Sequence, residues 1–453
     1  MKEFFCALFL CWICACNNGA TETTASQSDP NIVDGHPDWI MQGNIYEVNV
    51  RQYTPEGTFN AFQTHLPRLK EMGVQTLWFM PINPISIIDR KGELGSYYAV
   101  SDYTAINPEF GRLADWKNLI KKCHELGFKV IIDWVPNHTG GDHRWLKSHP
   151  DFYVRDAKTG LAISQFDWTD TRKLNYKNTE LQDSMIACLQ YWIKETDIDG
   201  YRCDVAGEVP DEFWKKCIPE LKKMKNIFML AEGDKPSLST DGFDATYAWP
   251  EFAMMKKIAN GERPAFALDS VLTNTNSSFP SNKLIMYFTS NHDENTWNKA
   301  DYGTMPGPIH APFAVLTQTI GNSIPLIYSG QEEPFLDSLS FFYKDTIQFN
   351  TYSRAPFYKT LLDLRNRNDA LSGNATFVKL KTNKDDIVYS YQRKGASDKI
   401  LVVLNLSSQP ASFSIPENDF EGKAKNVFTG ETIDFTTNHP YSLPAWGYEV
   451  WEQ

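Results

Sequence analysis

Three acidic residues carry the chemistry that this sequence offers: Asp204, Glu232 and Asp293. Each stands at or just past the end of a short apolar run that reads as a β-strand. Arg202 precedes Asp204 by two positions, so on a strand their side chains share a face. A guanidinium beside a carboxyl favours its ionised form, as a carboxylate nucleophile requires. Glu232 follows the apolar stretch Phe228-Met229-Leu230-Ala231. A carboxyl in such a setting holds its proton and can donate it. One ionised and one protonated carboxyl make up a glycosidase pair. Taken singly, each residue has a plainer reading. Asp204 could cap a helix. Glu232 could sit in a solvated loop, and Asn291-His292-Asp293 could form a turn or a pair of metal ligands. Their joint placement is the stronger argument.

The elements that must position them follow from the hydrophobic pattern. Candidate strands are Ile45–Val50, Thr76–Met80, Lys129–Asp133, Gly200–Cys203, Ile227–Ala231, Phe243–Thr246, Leu284–Thr289 and Ile324–Ser329. Helical patterns lie between most of them, among them Leu113–Leu126, Leu181–Glu195 and Ala311–Thr319. This alternation predicts an α/β fold, a (β/α)8 barrel over 41–371, rather than an open sheet. A barrel of this kind places its active site at the C-terminal ends of its strands, where the three acids fall. The irregular stretch 138–178 reads as an excursion after the third strand. From 372 to 453 only strand patterns remain, at Phe377–Leu380, Ile387–Gln392, Ile400–Leu406, Ala411–Ile415 and Tyr448–Trp451, which predicts an antiparallel β-sandwich.

The 453 residues suit one large domain and a smaller one. A net charge of -12 argues against nucleic acid and anionic lipid as partners and permits a neutral substrate such as a sugar. Phe4 to Ala15 is nearly all apolar and too short to span a bilayer. Ile13-Cys14-Ala15-Cys16 resembles a bacterial lipobox with Cys16 as the lipidated residue, making 1–16 a signal segment. An ordinary cleaved signal peptide is the alternative. The polar stretch 17–40 reads as a tether. The expected location is the cell envelope, held only by a lipid at Cys16. Without an acidic cluster after Cys16, the periplasm is favoured over the surface. Cys123, Cys188, Cys203 and Cys217 show no metal spacing and read as single buried thiols.

The chain resembles the alpha-amylase family, glycoside hydrolase family thirteen. Asp133-Trp134-Val135-Pro136-Asn137-His138 is similar to the family's first conserved segment, and Gly200-Tyr201-Arg202-Cys203-Asp204 to its second. Ala231-Glu232-Gly233 and Ser290-Asn291-His292-Asp293 resemble the third and fourth. Tyr46-Glu47-Val48, Tyr98 to Tyr103 and Tyr328 to Glu332 support the match, which runs in family order across about 45–335. The resemblance implies retaining hydrolysis of α-glucans, with Asp204 as nucleophile, Glu232 as acid/base and Asp293 as transition-state stabiliser. It implies that Tyr98 stacks on the sugar at the cleavage point. Asp102 and Arg202 would brace the site, and His138 and His292 would bind sugar hydroxyls. Asp133 would order the loop that carries His138, and Trp134 would pack.

Many calcium-dependent members carry Lys-His four and five residues after the nucleophile. Here those positions hold Glu208 and Val209, which puts a calcium site at Asn137 in doubt. No cofactor is expected. Three other readings remain at this stage: a transglycosylase or isomerase with the same acids, a glycan-binding lipoprotein without activity, and a metal-dependent hydrolase using Asp133, His138, His292 and Asp293.

Overall fold

A computed structural model describes Met1 and residues 31–299, 307–334, 337–416, 420–436 and 439–453. Eight parallel strands close into a barrel: β1 Ile45–Val48, β2 Thr76–Phe79, β3 Lys129–Trp134, β4 Gly200–Cys203, β5 Phe228–Ala231, β6 Ala245–Tyr247, β7 Leu284–Tyr287 and β8 Ser323–Tyr328. Each lies within two residues of its expected bounds. β5 pairs with β6 to shut the ring. Helices cover the outside, so nearly every strand residue is buried, as an all-parallel sheet requires.

Local sequence starts and stops these helices. Asn178 accepts the backbone N–H groups of Glu180 and Leu181 and begins the helix Thr179–Thr196, which ends where Asp197 turns left-handed at φ 57°. Asp115 reaches back to the Arg112 N–H at 2.8 Å and fixes the start of Leu113–Glu125.

Strand parity sorts the side chains. Tyr46, Leu77, Val130, Ile132, Tyr201, Met229 and Ala231 join the core between barrel and helices. Ile45, Trp78, Ile131, Phe228, Leu230, Ala245, Leu284 and Ile324 join a second core that also takes in the C-terminal sheet. Continuing the inward parity leads to Glu47 on β1, Asp133 on β3, Arg202 on β4 and then Asp204 just after it, and Glu232 after β5. Register sets Asp133 beside Arg202. Gly200 begins β4 because a Cβ there would stand 2.0 Å from the Phe228 carbonyl oxygen.

The excursion is a small hairpin, His138–Gly140 paired with Thr171–Lys173, with a one-turn helix Trp145–Ser148, a 3-10 turn Pro150–Phe152 and irregular chain between. The C-terminal region has a six-stranded antiparallel sheet and a two-stranded one, Ala411–Phe413 with Tyr441–Leu443. Phe413, Tyr441 and Leu443 pack with Leu401, Val403 and Trp451 between them. Three strands here escaped the sequence reading: Gly422–Asn426, Thr432–Phe435 and Tyr441–Leu443. They are short and half exposed, so polar residues interrupt their apolar pattern. Arg393 ties this region to the barrel. Its guanidinium donates to the carbonyls of Thr319, Ile320 and Ser372.

The tether expected over 17–40 is corrected at its end. Residues 31–40 form a hairpin and a helical turn against the barrel. His36 reaches Asp244 at 3.1 Å, Trp39 meets Phe228 edge-on, and Ile40 is fully buried. Apolar residues in a polar stretch docked it. Residues 17–30 and Cys16 lie outside the described residues. The four cysteines at 123, 188, 203 and 217 are buried and free, as expected.

Candidate active site

A pocket of about 430 Å³ opens at the C-terminal ends of the strands. Asp204, Glu232 and Asp293 all line it, together with Tyr98 and His138. Asp204 directly follows β4 and Glu232 directly follows β5. Asp293 stands six residues beyond β7, where a turn of π-helix begins.

Arg202 lies beneath the floor, without solvent contact. Its Nη1 donates to Asp133 Oδ1 at 2.9 Å and to Asp204 Oδ1 at 3.1 Å. Its Nη2 stands 3.0 Å from Glu232 Oε2, an ion-pair contact without hydrogen-bond alignment. Its Nε donates to the Tyr247 hydroxyl at 3.0 Å. One cation therefore meets three carboxyl groups. The bracing role expected of Arg202 fits this geometry.

The expected effect of Arg202 on Asp204 needs correction. Burial pushes the Asp204 carboxyl well up, and the neighbouring Glu232 adds to the rise. Arg202 opposes both without prevailing, because Asp133 and Glu232 share its charge. Asp204 therefore holds its proton more readily than a carboxyl in water. The setting of Glu232 also differs from the apolar one expected. The residues before it turn their side chains into the cores, while its own carboxyl accepts the Val205 N–H at 2.6 Å. Val205 makes that bond from a left-handed conformation, φ 38°, which a β-branched residue adopts only under strain.

His292 is buried between two acids and a tyrosine. Nδ1 meets Glu47 Oε1 at 2.6 Å. Nε2 meets the Tyr98 hydroxyl at 2.8 Å and Asp293 Oδ2 at 3.3 Å. Burial lowers its basicity, but Asp293 and Glu47 outweigh burial and the Arg202 charge, and lift it to about 9. Tyr98 stacks over the imidazole with ring centres 5.5 Å apart and donates to Asp133 Oδ2 at 3.1 Å. Trp78 Nε1 donates to the same oxygen at 3.2 Å. Burial pushes Asp133 up to about 6 against the pull of Arg202 and His292. Asp133 thus orders Arg202 and Tyr98, not the loop carrying His138.

His138 is buried near Asn137 and Trp168, and burial lowers it to about 4, so it is neutral. Trp134 packs between Tyr103 and Tyr201 as expected. Asp102 does not join the site. It accepts the Thr104 N–H and hydroxyl, holds its own loop, and faces Arg144 at 3.9 Å. Sequence reasoning gave Glu47 no role. The available signal was a lone acid among apolar residues on a strand of an all-parallel barrel, where burial demands a partner.

The calcium site seen in many family members does not fit these residues. Asn137 turns its amide N–H to Gln165 Oε1 at 2.9 Å, and Gln165 donates to Glu208 Oε2 at 2.9 Å. Asn137 thus presents its amide nitrogen to Gln165, and Gln165 Oε1 and Glu208 Oε2 already accept amide N–H groups where a hard cation would need free oxygens. The four residues of the metal-dependent reading are likewise not brought together as ligands. Among the described residues no group of three or more His, Cys, Asp or Glu is placed to hold a metal ion.

The Glu47–His292 pair yields a prediction about pH. The raised His292 stabilises the fold fully below its unfolded value of about 6.5, and this contribution declines as pH rises to about 9. Glu47→Gln keeps the hydrogen-bond acceptor and removes the charge. Urea midpoints measured from pH 6 to 10 should fall less steeply between about 6.5 and 9 in the variant than in the wild type. Equal slopes would show that Glu47 does not set the charge of His292.

Comparisons with known proteins bear on the same geometry. The model of the alpha amylase catalytic domain matches residues 26–159 and 156–353, and that of the maltogenic amylase C-terminal domain matches 378–450. The alpha-amylase MalA of Haloarcula japonica is 26% identical over 434 residues, covering 89% of this chain. The chain spans 62% of that relative's length. A maltogenic alpha-amylase of Bacillus acidopullulyticus is 25% identical over 459 residues, 92% of this chain and 74% of that protein. Among solved structures, a noncanonic maltogenic alpha-amylase of Thermotoga neapolitana superposes with a TM-score of 0.82 at 27% identity, covering 91% of this chain and 98% of that one. An alpha-amylase of Lactobacillus plantarum gives 0.79 at 28% identity, with 92% and 99% covered. With its closed parallel barrel, three acids in one pocket and a matching model over most of its length, this chain belongs to the alpha-amylase family of glycoside hydrolases.

Proposed function

We propose that this chain is a retaining glycoside hydrolase that cleaves α-glucosidic bonds in starch-derived glucans or maltooligosaccharides. The observation that carries this reading is a pair of carboxyls, Asp204 and Glu232, against one guanidinium, with a third acid, Asp293, in the same pocket. Such closeness supports the retaining spacing of about 5–5.5 Å over the wider inverting one. In this mechanism Glu232 delivers a proton to the glycosidic oxygen while Asp204 attacks the anomeric carbon. The bond to the leaving sugar breaks and a glycosyl ester forms on Asp204. Glu232, now ionised, takes a proton from water, which displaces Asp204 and restores the configuration. Asp293 balances the positive charge that develops on the ring. Protonated His292 holds Asp293 in place, and the Tyr98 hydroxyl ties the imidazole to Asp133. The relatives' names support α-glucans as the substrate class.

We further propose, from the sequence pattern alone, that a lipid on Cys16 holds the protein in the cell envelope. Among the described residues no helix is long and apolar enough to cross a membrane.

Asp204→Asn and Glu232→Gln should each lower cleavage of natural glucans by about a thousandfold. Azide should rescue Glu232→Ala on an activated aryl glucoside with retained configuration, while any rescue of Asp204→Ala should invert it. A glycosyl-enzyme trapped on another residue in Asp204→Ala would overturn the assignment. Exhaustive chelation should cost less than about half the activity, since hydrogen bonds fill the place of the cation. A larger loss that calcium restores would reveal another ligand set. Mass spectrometry should find acylated Cys16, and Cys16→Ser should leave the membrane fraction or stall in maturation with the folded domain active. An unacylated Cys16 would exclude the anchor.

A further inference from the structure

The chain just after β4 is strained, and the side chains that hold it so take no part in the mechanism described above. Val205 follows Asp204 at φ 38° and ψ 44° and leads into the 3-10 turn Ala206–Glu208. A β-branched residue keeps a left-handed backbone only where its surroundings over-determine it. That backbone aims the Val205 N–H at Glu232 Oε2, 2.6 Å away. Among the described residues this is the one aligned hydrogen bond that the Glu232 carboxyl accepts, since the Arg202 contact lacks alignment. Both contacts fall on Oε2, which leaves Oε1 to hand a proton to the substrate.

Three bonds fix the turn. The Glu208 N–H closes it on the Val205 carbonyl at 2.8 Å. Lys235, three residues past Glu232, donates to the Gly207 carbonyl at 2.5 Å. Trp214 Nε1 donates to the Ala206 carbonyl at 3.1 Å. The first bond lies within the turn and moves with it. The Lys235 side chain is exposed and long, so it can follow the turn as well. Trp214 cannot. It stands on the helix Asp211–Lys222, fully buried, with its ring edge-on to Phe213 and Phe243 at 5.0 and 4.8 Å between centres. A right-handed Val205 would rotate the following peptides and pull the Ala206 carbonyl off this fixed indole. That carbonyl lies away from water, so leaving it without a donor is costly.

We propose that Trp214 is a positioning residue for proton transfer: by holding the Ala206 carbonyl, its indole N–H keeps the Val205 N–H on Glu232. This rests on the reading of Glu232 as the acid/base of an α-glucan hydrolase. The test compares kcat/KM on maltoheptaose, whose leaving sugar needs a proton, with α-maltotriosyl fluoride, whose fluoride departs with little help from an acid. Both values report only the steps up to the glycosyl-enzyme. Trp214→Phe keeps a packed ring without the N–H and should cost about tenfold on maltoheptaose and less than about twofold on the fluoride. 3-Benzothienylalanine placed at position 214 carries sulfur in place of the N–H at nearly constant shape, and it should give the same split even if the phenylalanine variant does not fold. Glycine is at ease in the left-handed region, so in a Val205→Gly background the loss from Trp214→Phe on maltoheptaose should shrink to less than about threefold. Equal losses on the two substrates, no loss on either, or an undiminished loss in the Val205→Gly background would overturn the role of Trp214. A Glu232→Ala variant that still cleaves maltoheptaose at the wild-type rate would instead overturn the acid/base reading, and this proposal with it.

Discussion

A single guanidinium without solvent contact, that of Arg202, meets Asp133, Asp204 and Glu232 at 2.9 to 3.1 Å. None of these charges would be tolerable at this depth alone, because removing an ion from water costs several kcal/mol. Together they satisfy one another, and the arrangement fixes where each carboxyl can point. Asp133 in turn takes hydrogen bonds from Trp78 and Tyr98, so the same cation indirectly seats the aromatic ring on the pocket wall. A positive charge divided in this way does not outweigh burial at Asp133 or Asp204, and both carboxyls hold their protons more readily than in water.

A second charge centre sits next to the first. His292 lies between Glu47 and Asp293 with Tyr98 closing its remaining nitrogen. The imidazole is cationic because two acids flank it, and Asp293 keeps its place because the imidazole is cationic. Four strands contribute inward residues to these two centres: Glu47 from β1, Asp133 from β3, Arg202 from β4 and Tyr247 from β6. Below them the barrel interior is apolar, filled by Trp78, Ile131, Leu230 and Met286. The polar layer is thus a thin lid of compensated charge on a packed core, and that core gives it its rigidity.

Outside the barrel the chain decides what reaches this layer. The excursion and the loop after β2 are pinned to each other by ion pairs. Trp297, Phe341 and Trp168 give the mouth aromatic faces. The C-terminal sheet stands away from the pocket and shares a core with the barrel. Its role in the molecule is to extend that core, with Arg393 capping a barrel helix.

The sequence by itself determined the alternation of strands and helices, because a parallel barrel buried on both faces needs near-continuous apolar runs between amphipathic ones. It also determined the three acids, since strand ends are local features and the motifs around them are contiguous. Only the tertiary structure decided who compensates whom. Glu47 is 245 residues from His292, and Asp133 is 69 from Arg202, so neither pairing leaves a trace in local pattern. The rise at Asp204 reversed the local expectation, because Arg202 is divided among partners that sequence spacing cannot count. Asp102 looked like a brace from its segment, yet its loop folded on itself and left it outside the pocket. Residues 31–40 looked polar enough to hang free, and a few apolar side chains docked them. Local pattern writes the elements. Burial, which belongs to no single stretch of chain, assigns the charges.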